Sequence, residues 1–486
     1  MLNGSIKHLS HALEALGPLL EQLLDITATP GISVGVLHHG EVIHTANYGY
    51  RDVERQLTPN ADTSWLICSM TKAFTSSMIG MLIEEGLLSF EMQLQEILPE
   101  FQRRDAQANI TLEDLMSHRT GLAPMDNLWF SSYNQNLVDR SQAIPIMSYA
   151  PVAGPICASF NYNNIAYEIL GQVLEKVTSL SYADLLRQRI IEPLKLNRTF
   201  YAGETLDDNT AKSYAALYNG LYHGLPPWGH GDNLFTGAGG AIRSSTATAT
   251  NPFKIVPELF EGKVGVGSTS LREYSYASGW IRAQLPAMVH LFADCWPSVL
   301  LRGAESRLMI HHQGYIMGNA GIVALFPEAS TAIVALGNSA GLTGAMRLFG
   351  QVIVKTTLEN EFNATTYTRL GGEAREYFVQ YVQDRNEELL ANKTAEAPAN
   401  PLSAYVGKYY NSIGSFFIEI KLLDGNKLQV VFLGADIDTY ELQPYQTDSF
   451  YWMLDFDESA KRARLPWFPP EYFVLKFGCR SSIWGA

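Results

Sequence analysis

The strand-forming segments of this chain sit at the two ends of residues 1–360, so any sheet they build must close across a long insertion. Residues 32–37 (Ile-Ser-Val-Gly-Val-Leu) and 41–46 (Glu-Val-Ile-His-Thr-Ala) flank the turn His38-His39-Gly40 and read as a hairpin. Residues 321–326 and 331–336 read as two further strands, parted by Pro327-Glu328. The start and end of this domain are therefore expected to pair. Leucines at helical spacing over 8–24, ended by Pro30-Gly31, predict a packing helix before the hairpin. Phe74, Met78, Ile79, Leu82 and Ile83 predict a buried helix that begins at Ser69 and stops at Gly86. A helical stretch over 350–390 runs into a polar, proline-containing linker ending at Pro401. A hairpin over 416–422 and 427–433, turning at Asp424-Gly425-Asn426, opens an aromatic-rich tail. The expected organisation is a first domain over 1–360, a helical connector and linker over 361–399, and a small β-rich domain over 400–486.

Composition narrows the function. With 486 residues, 47% of them hydrophobic and 17% charged, the chain can bury a large core. Its 35 Lys and Arg against 49 Asp and Glu leave a net charge of −14, which repels phosphate and argues against nucleic-acid or anionic-lipid partners. Cys68, Cys157, Cys295 and Cys479 make no Cys-x-x-Cys and suit a reducing compartment. The first residues lack the basic-then-apolar order of a secretory signal, no run is long and uncharged enough to span a bilayer, and a cytoplasmic address with no membrane partner follows. Asn109-Ile-Thr and Asn197-Arg-Thr are read as chance sequons. No His-Glu-x-x-His and no phosphate-cradling glycine loop is visible, so no metal or other cofactor is expected.

Three short motifs carry chemistry. Ser69-Met70-Thr71-Lys72 puts a hydroxyl and an amine on one helix face near its positive end. The amine can take the serine proton only when neutral, and burial and the helix dipole both disfavour its charge. Tyr162-Asn163-Asn164 precedes an apolar helical pattern and delivers a phenol and an amide from a helix start. His312-Gln313-Gly314 comes just before a predicted strand. Each motif alone is weak: Tyr409-Tyr410-Asn411 repeats the second and His38-His39-Gly40 the third, so order and context must decide between copies.

In the order Ser-x-x-Lys, Tyr-x-Asn, His-x-Gly, the chain resembles the serine β-lactamase and penicillin-binding-protein-like family. It is closest in pattern to class C β-lactamases, D,D-peptidases, family esterases and polyketide acyltransferases such as the lovastatin transesterase. Supporting stretches are Thr63-Ser-Trp-Leu-Ile-Cys-Ser-Met-Thr-Lys72, Ile110-Thr-Leu-Glu-Asp-Leu-Met-Ser-His-Arg-Thr-Gly-Leu122, Phe160-Asn-Tyr-Asn-Asn-Ile-Ala-Tyr-Glu-Ile-Leu-Gly171 and Gly237-Ala-Gly-Gly-Ala241. The resemblance implies a fold of the α/β class, α+β type: an antiparallel sheet flanked by helices, with a helical subdomain, to which the tail adds a small C-terminal all-β domain. It also implies Ser69 as acylated nucleophile, Lys72 as its base, Tyr162 as the phenol sharing proton transfer and Asn164 as the amide orienting substrate. The backbone N–H groups of Ser69 and Tyr315 match the oxyanion hole, and Gly314 permits close approach of substrate. His312 stands where many members carry lysine, and a neutral imidazole there favours esters or acyl transfer over penicillins.

The implied activity is hydrolysis or acyl transfer through a Ser69 acyl-enzyme on a small ester, thioester or amide, in secondary metabolism. Its partners are a small-molecule acyl substrate and an alcohol or carrier-bound acyl donor. The alternatives are a non-catalytic binding descendant of the fold, or a β-lactamase or D,D-peptidase. Two departures from the family pattern bear on the rim of the site: Met317 replaces a common proline, and the usual acidic helical stretch is missing after Ser245. Trp228 and His230 lie in a loop that borders the substrate pocket in relatives. Gly337-Asn-Ser339-Ala-Gly341 imitates the elbow of α/β-hydrolases without ordered Asp and His partners, and His118 reads as a core histidine.

Overall fold

His39 and Gly40 both take positive φ (51° and 81°), the geometry that closes a two-residue hairpin without splaying its strands. That turn joins β1 (Gly31–His38) to β2 (Glu41–Gly49). The remaining strands of the main sheet are β3 (Val264–Gly265), β4 (Tyr274–Tyr276), β5 (Ile281–Leu285), β6 (Arg307–Ile316), β7 (Asn319–Phe326) and β8 (Thr331–Gly337). In the computed structural model, which describes residues 2–201, 206–228, 234–246, 256–267, 271–289, 299–359, 361–394, 398–464 and 469–478, they pair antiparallel in the order β2-β1-β8-β7-β6-β5-β4-β3. The expected closure is present: β1 pairs with β8 from Ile32 opposite Gly337 to His38 opposite Thr331.

The longer helices are α1 (Leu2–Glu14), α2 (Gly17–Thr27), α3 (Thr71–Glu84), α4 (Asn164–Thr178), α5 (Ala345–Glu359) and α6 (Ala364–Ala391). The single helix expected over 8–24 is two. The leucine period runs on, but Pro18 has no N–H to donate and opens a second helix instead of continuing the first. Likewise the stretch expected over 350–390 is broken between α5 and α6, where the Asn363 side chain accepts from the Thr366 N–H at 2.8 Å and restarts the helix. Along one sheet face α1, α2 and α5 bury their leucines and valines against Ile32, Val34, Val36, Ile333 and Ala335. Val323 and Val334, on the alternate side, pack on a second core built around α3 and α4.

The tail forms a six-stranded antiparallel sheet of β9 (Gly407–Tyr410), β10 (Phe417–Leu423), β11 (Lys427–Phe432), β12 (Thr439–Gln446), β13 (Ser449–Tyr451) and β14 (Val474–Lys476), in that order. Its inner residues Ile418, Val430, Phe450 and Leu475 belong to the same contiguous apolar core as α3 and α4. α6 lies along α2 at Gly371, where an added Cβ would come within 3.1 Å of Ile26. Among the described residues, no helix is long and apolar enough to cross a membrane. Residue 230, the segment following Thr246, Cys295 and Cys479 lie outside the described residues.

Candidate active site

Ser69 sits in a 3₁₀ turn, Cys68–Met70, that runs directly into α3. Cys68 holds φ of 49°, a sparsely populated conformation for a residue with a Cβ, and its surroundings impose it. The Ile67 N–H donates to the Ile242 carbonyl at 2.9 Å, and the Ile242 N–H donates to Thr71 Oγ1 at 3.1 Å. From the other side β6 presses against the turn at Gly314. A Cβ there would collide with the Ile67 carbonyl oxygen and lie 3.0 Å from Cys68 Cβ, so glycine is required for the strand to lie this close to Ser69. Gly314→Ala is accordingly expected to cost about 1–3 kcal/mol through overpacking and to lower turnover by parting the strand from the serine. Thermal unfolding and ester hydrolysis measured side by side check it.

Lys72 lies one helical turn on and is fully buried. Its Nζ is 3.2 Å from Ser69 Oγ, 2.9 Å from Asn164 Oδ1 and 2.8 Å from the Gly239 carbonyl oxygen. Burial brings its pKa down to about 7, against the opposing pull of Asp126 and Cys68. A neutral amine has two N–H bonds and one lone pair. The amide and carbonyl oxygens of Asn164 and Gly239 can only accept, so they take the two N–H bonds and leave the lone pair for the one partner with a proton to give, Ser69. The glycine run after Thr236 permits this: an added Cβ on Gly239 would lie 3.4 Å from Nζ and 3.3 Å from Tyr167.

α4 starts where the Asn163 side chain accepts from the Ala166 N–H at 3.1 Å, which sets Asn164 in the first turn and Tyr162 just before it. The Tyr162 ring centroid is 4.8 Å from Lys72 Nζ. Burial holds its phenol well above the ordinary range, with a hydrogen bond to Ser69 opposing, so the phenol keeps its proton at neutral pH. His118 is a core histidine, as expected: it is fully buried, accepts from the Asn163 N–H at 3.1 Å and packs 4.2 Å from the Tyr162 ring.

Asp126 is a site residue that the sequence did not disclose. Its carboxylate accepts from Asn164 Nδ2 at 3.2 and 3.3 Å and from Trp129 Nε1 at 3.1 Å. Burial raises its pKa to about 6 against those hydrogen bonds and the Lys72 charge. Asp126 stands in an aperiodic loop, and nothing in its neighbours points to Asn164; only the folded chain joins them.

A cavity of about 380 Å³ opens over Ser69. Tyr162, Asn164, Trp228, Gly314 and Tyr315 line it, so the structure brings together most of the expected set. His312 is the exception. The expectation put its motif just before a strand, whereas it lies inside β6, where both faces are covered and no alternation marks the strand. The ring is fully buried and absent from the cavity wall. Its Nδ1–H donates to the Gln313 carbonyl at 2.7 Å, which leaves Nε2 to accept from the Tyr276 hydroxyl at 3.0 Å. Burial drives its pKa to about 3, so it is neutral, with both ring nitrogens engaged by Gln313 and Tyr276. Gln313, the unassigned middle of that motif, lines the cavity in its place, with its Nε2 unpartnered among the described residues. The elbow-like Ser339 is buried and accepts from the Gly341 N–H at 3.0 Å, a turn residue and not a presented nucleophile.

Ser69 thus stands at a helix start against β6 of the antiparallel sheet, with a buried lysine one turn on. The sequence model of the Beta-lactamase family matches residues 18–353, and the chain belongs to that family. It is 23% identical over 420 residues to the unguisins hydrolase ungD′ of Aspergillus campestris, a match covering 80% of this chain and 74% of that one. Among solved structures, the octameric penicillin-binding protein homologue from Pyrococcus abyssi aligns with a TM-score of 0.57 at 20% identity over 94% of both chains. EstCE1, a hydrolase with promiscuous acyltransferase activity, aligns with a TM-score of 0.59 at 18% identity over 73% of this chain and 99% of its own. Both likenesses show the shared penicillin-binding-protein and β-lactamase fold, and the first extends over the C-terminal sheet.

Proposed function

We propose that this protein is a serine hydrolase or acyltransferase that works through an acyl-enzyme on Ser69. The observation that carries the reading is the hydrogen-bond arithmetic at Lys72 Nζ, where two acceptor oxygens leave the lone pair for the Ser69 proton. Ser69 Oγ attacks the carbonyl carbon of an ester, thioester or amide while Lys72 takes its proton. The developing oxyanion sits between the backbone N–H groups of Ser69 and Tyr315; the latter lies on β6 beyond His311, where pairing with β5 ends. The proton then passes, through the Tyr162 phenol or directly from Lys72, to the departing alcohol, thiol or amine as its bond to the acyl carbon breaks. Water or a second alcohol repeats the sequence in reverse and restores the serine. Which acceptor enters the cavity separates hydrolysis from transfer.

The name of the fungal relative, an unguisins hydrolase, supports hydrolysis as the outcome, and the acyltransferase activity in the name of EstCE1 supports the transfer branch. Neutral His312 supplies no cation, which favours esters over carboxylate-bearing penicillins, although Arg347 from the first turn of α5 lines the cavity and a penicillin therefore belongs in the test. Intact mass of wild type after exposure to p-nitrophenyl esters, acyl thioesters and a penicillin tests the reading. A mass increment on Ser69 with one class supports it and names the class; no adduct and no turnover with any of them counts against it.

Asp126 gives the reading a pH signature. Its negative charge raises the Lys72 pKa, so Asp126→Asn is expected to lower that pKa further and to move the acid limb of kcat/KM toward lower pH. A limb that stays in place or moves upward contradicts the assignment of Lys72 as the base.

A further inference from the structure

Among the described residues, the loop over 126–134 connects the C-terminal sheet to the active site. Within residues 126–134, Asp126 bonds to Asn164, Trp129 and Phe130 line the cavity, and Ser132 turns back into the tail. The Ser132 hydroxyl is buried and donates to Asp438 Oδ1 at 2.8 Å, beside the Tyr440 hydroxyl at 2.6 Å. Arg464 donates to both Asp438 oxygens at 2.5 Å and to the Tyr440 hydroxyl at 2.8 Å. The same guanidinium crosses the junction and donates to the Phe130 carbonyl oxygen at 3.1 Å. Next to it the Tyr133 N–H donates to the Arg462 carbonyl at 2.6 Å, and the Asn134 amide donates to the Pro226 carbonyl at 2.8 Å, two residues before Trp228.

Arg464 and Asp438 are 4% and 0% exposed, and the guanidinium lies 5.4–5.5 Å from the rings of Tyr440, Phe432 and Trp452. A buried ion pair is a poor source of net stability, because desolvation offsets the attraction; its attested use is to hold one geometry against others. The geometry held here needs holding, since Tyr133 and Asn134 both take positive φ (59° and 58°). α6 contributes to the same wall through Phe378 and Tyr381, one turn apart. Apart from the Pro226 carbonyl, these supports lie beyond residue 353, where the family match ends.

We propose that the C-terminal unit is a working part of the active site, with Arg464 as a positioning residue that acts through Phe130 and Ser132 to hold Asp126 against Asn164. The proposal rests on the reading of Ser69 and Lys72 as the acylating pair. Loosening the clamp frees Asp126, so it changes more than stability: kcat falls about tenfold, within the range that small misplacements of a site produce, and the acid limb moves to lower pH as Lys72 loses its anionic neighbour. A merely structural role would leave that limb in place.

The test uses the full chain with Arg464→Met, Arg464→Lys and Ser132→Ala. Hydrogen exchange of residues 126–134, followed by mass spectrometry without substrate, is expected to rise in Arg464→Met and Ser132→Ala while α3 stays protected. Arg464→Lys, which keeps the charge, is expected to recover part of the rate and of the protection. If Arg464→Met does not fold, Ser132→Ala decides, because it removes only a hydroxyl at the joint. Unchanged exchange, or raised exchange with kcat and the acid limb unchanged, overturns the proposal. Absence of any Ser69-dependent turnover in wild type would count against the acyl-enzyme reading instead, and the exchange arm still decides whether Arg464 holds the loop.

Discussion

Ser69→Ala is expected to remove ester turnover by about four orders of magnitude or more, the scale on which loss of a nucleophile is felt in serine hydrolases, with little change in the thermal midpoint. The two halves of that expectation have separate grounds. Ser69 Oγ is the atom that faces both the Lys72 lone pair and the cavity, so nothing replaces it as nucleophile. The turn that carries it is held by backbone bonds from Ile67 and Ile242 and by the strand at Gly314, none of which involves the hydroxyl. Turnover of p-nitrophenyl esters and a melting curve on the same preparation check both halves. Retained turnover in a folded variant contradicts the assignment.

The second large effect is expected at Lys72. Its folded pKa is depressed from 10.5 to about 7 by burial, so the base form grows as pH rises through 7 and is lost as pH falls. Wild-type kcat/KM should therefore climb through that value and level above it. Lys72→Ala should lose about two to four orders of magnitude, the usual worth of a positioned general base, and should lose the limb near pH 7 with it. Survival of the same limb in Lys72→Ala assigns it to another group; Asp126, with a pKa of about 6, is the neighbour that titrates closest.

Local signals in the sequence were read correctly where one residue type dictates the backbone. The His39-Gly40 turn and the stop of α3 at Gly86 follow from glycine at positive φ, and the pairing of β1 with β8 from strand segments placed at the two ends of the domain. Ser69, Lys72, Tyr162 and Asn164 stood out only because their motifs occur in the order that the resembled family carries, each motif alone being weak. The rest needed the third dimension. Asp126 meets Asn164 across 38 positions and Ser132 meets Asp438 across 306, and neither pair leaves a period. His312 was misplaced because a strand covered on both faces shows no alternation, so its ring, expected beside substrate, turned out to be bonded to Tyr276. The break at Pro18 was hidden by leucines whose spacing runs through it.

The pairing of β1 with β8 also shapes how the chain comes into being. Ile32 meets Gly337, so 337 − 32 = 305 residues must leave the ribosome before the apolar edge of β1 finds its partner. At about 5–20 residues per second that is a wait of about 15–60 s. During it the nascent hairpin offers one bare edge, with Val34 and Val36 at its centre, to any other strand in reach. Folding of the catalytic sheet is thus a late event in synthesis, and a chain interrupted before β8 is left with an adhesive N-terminus.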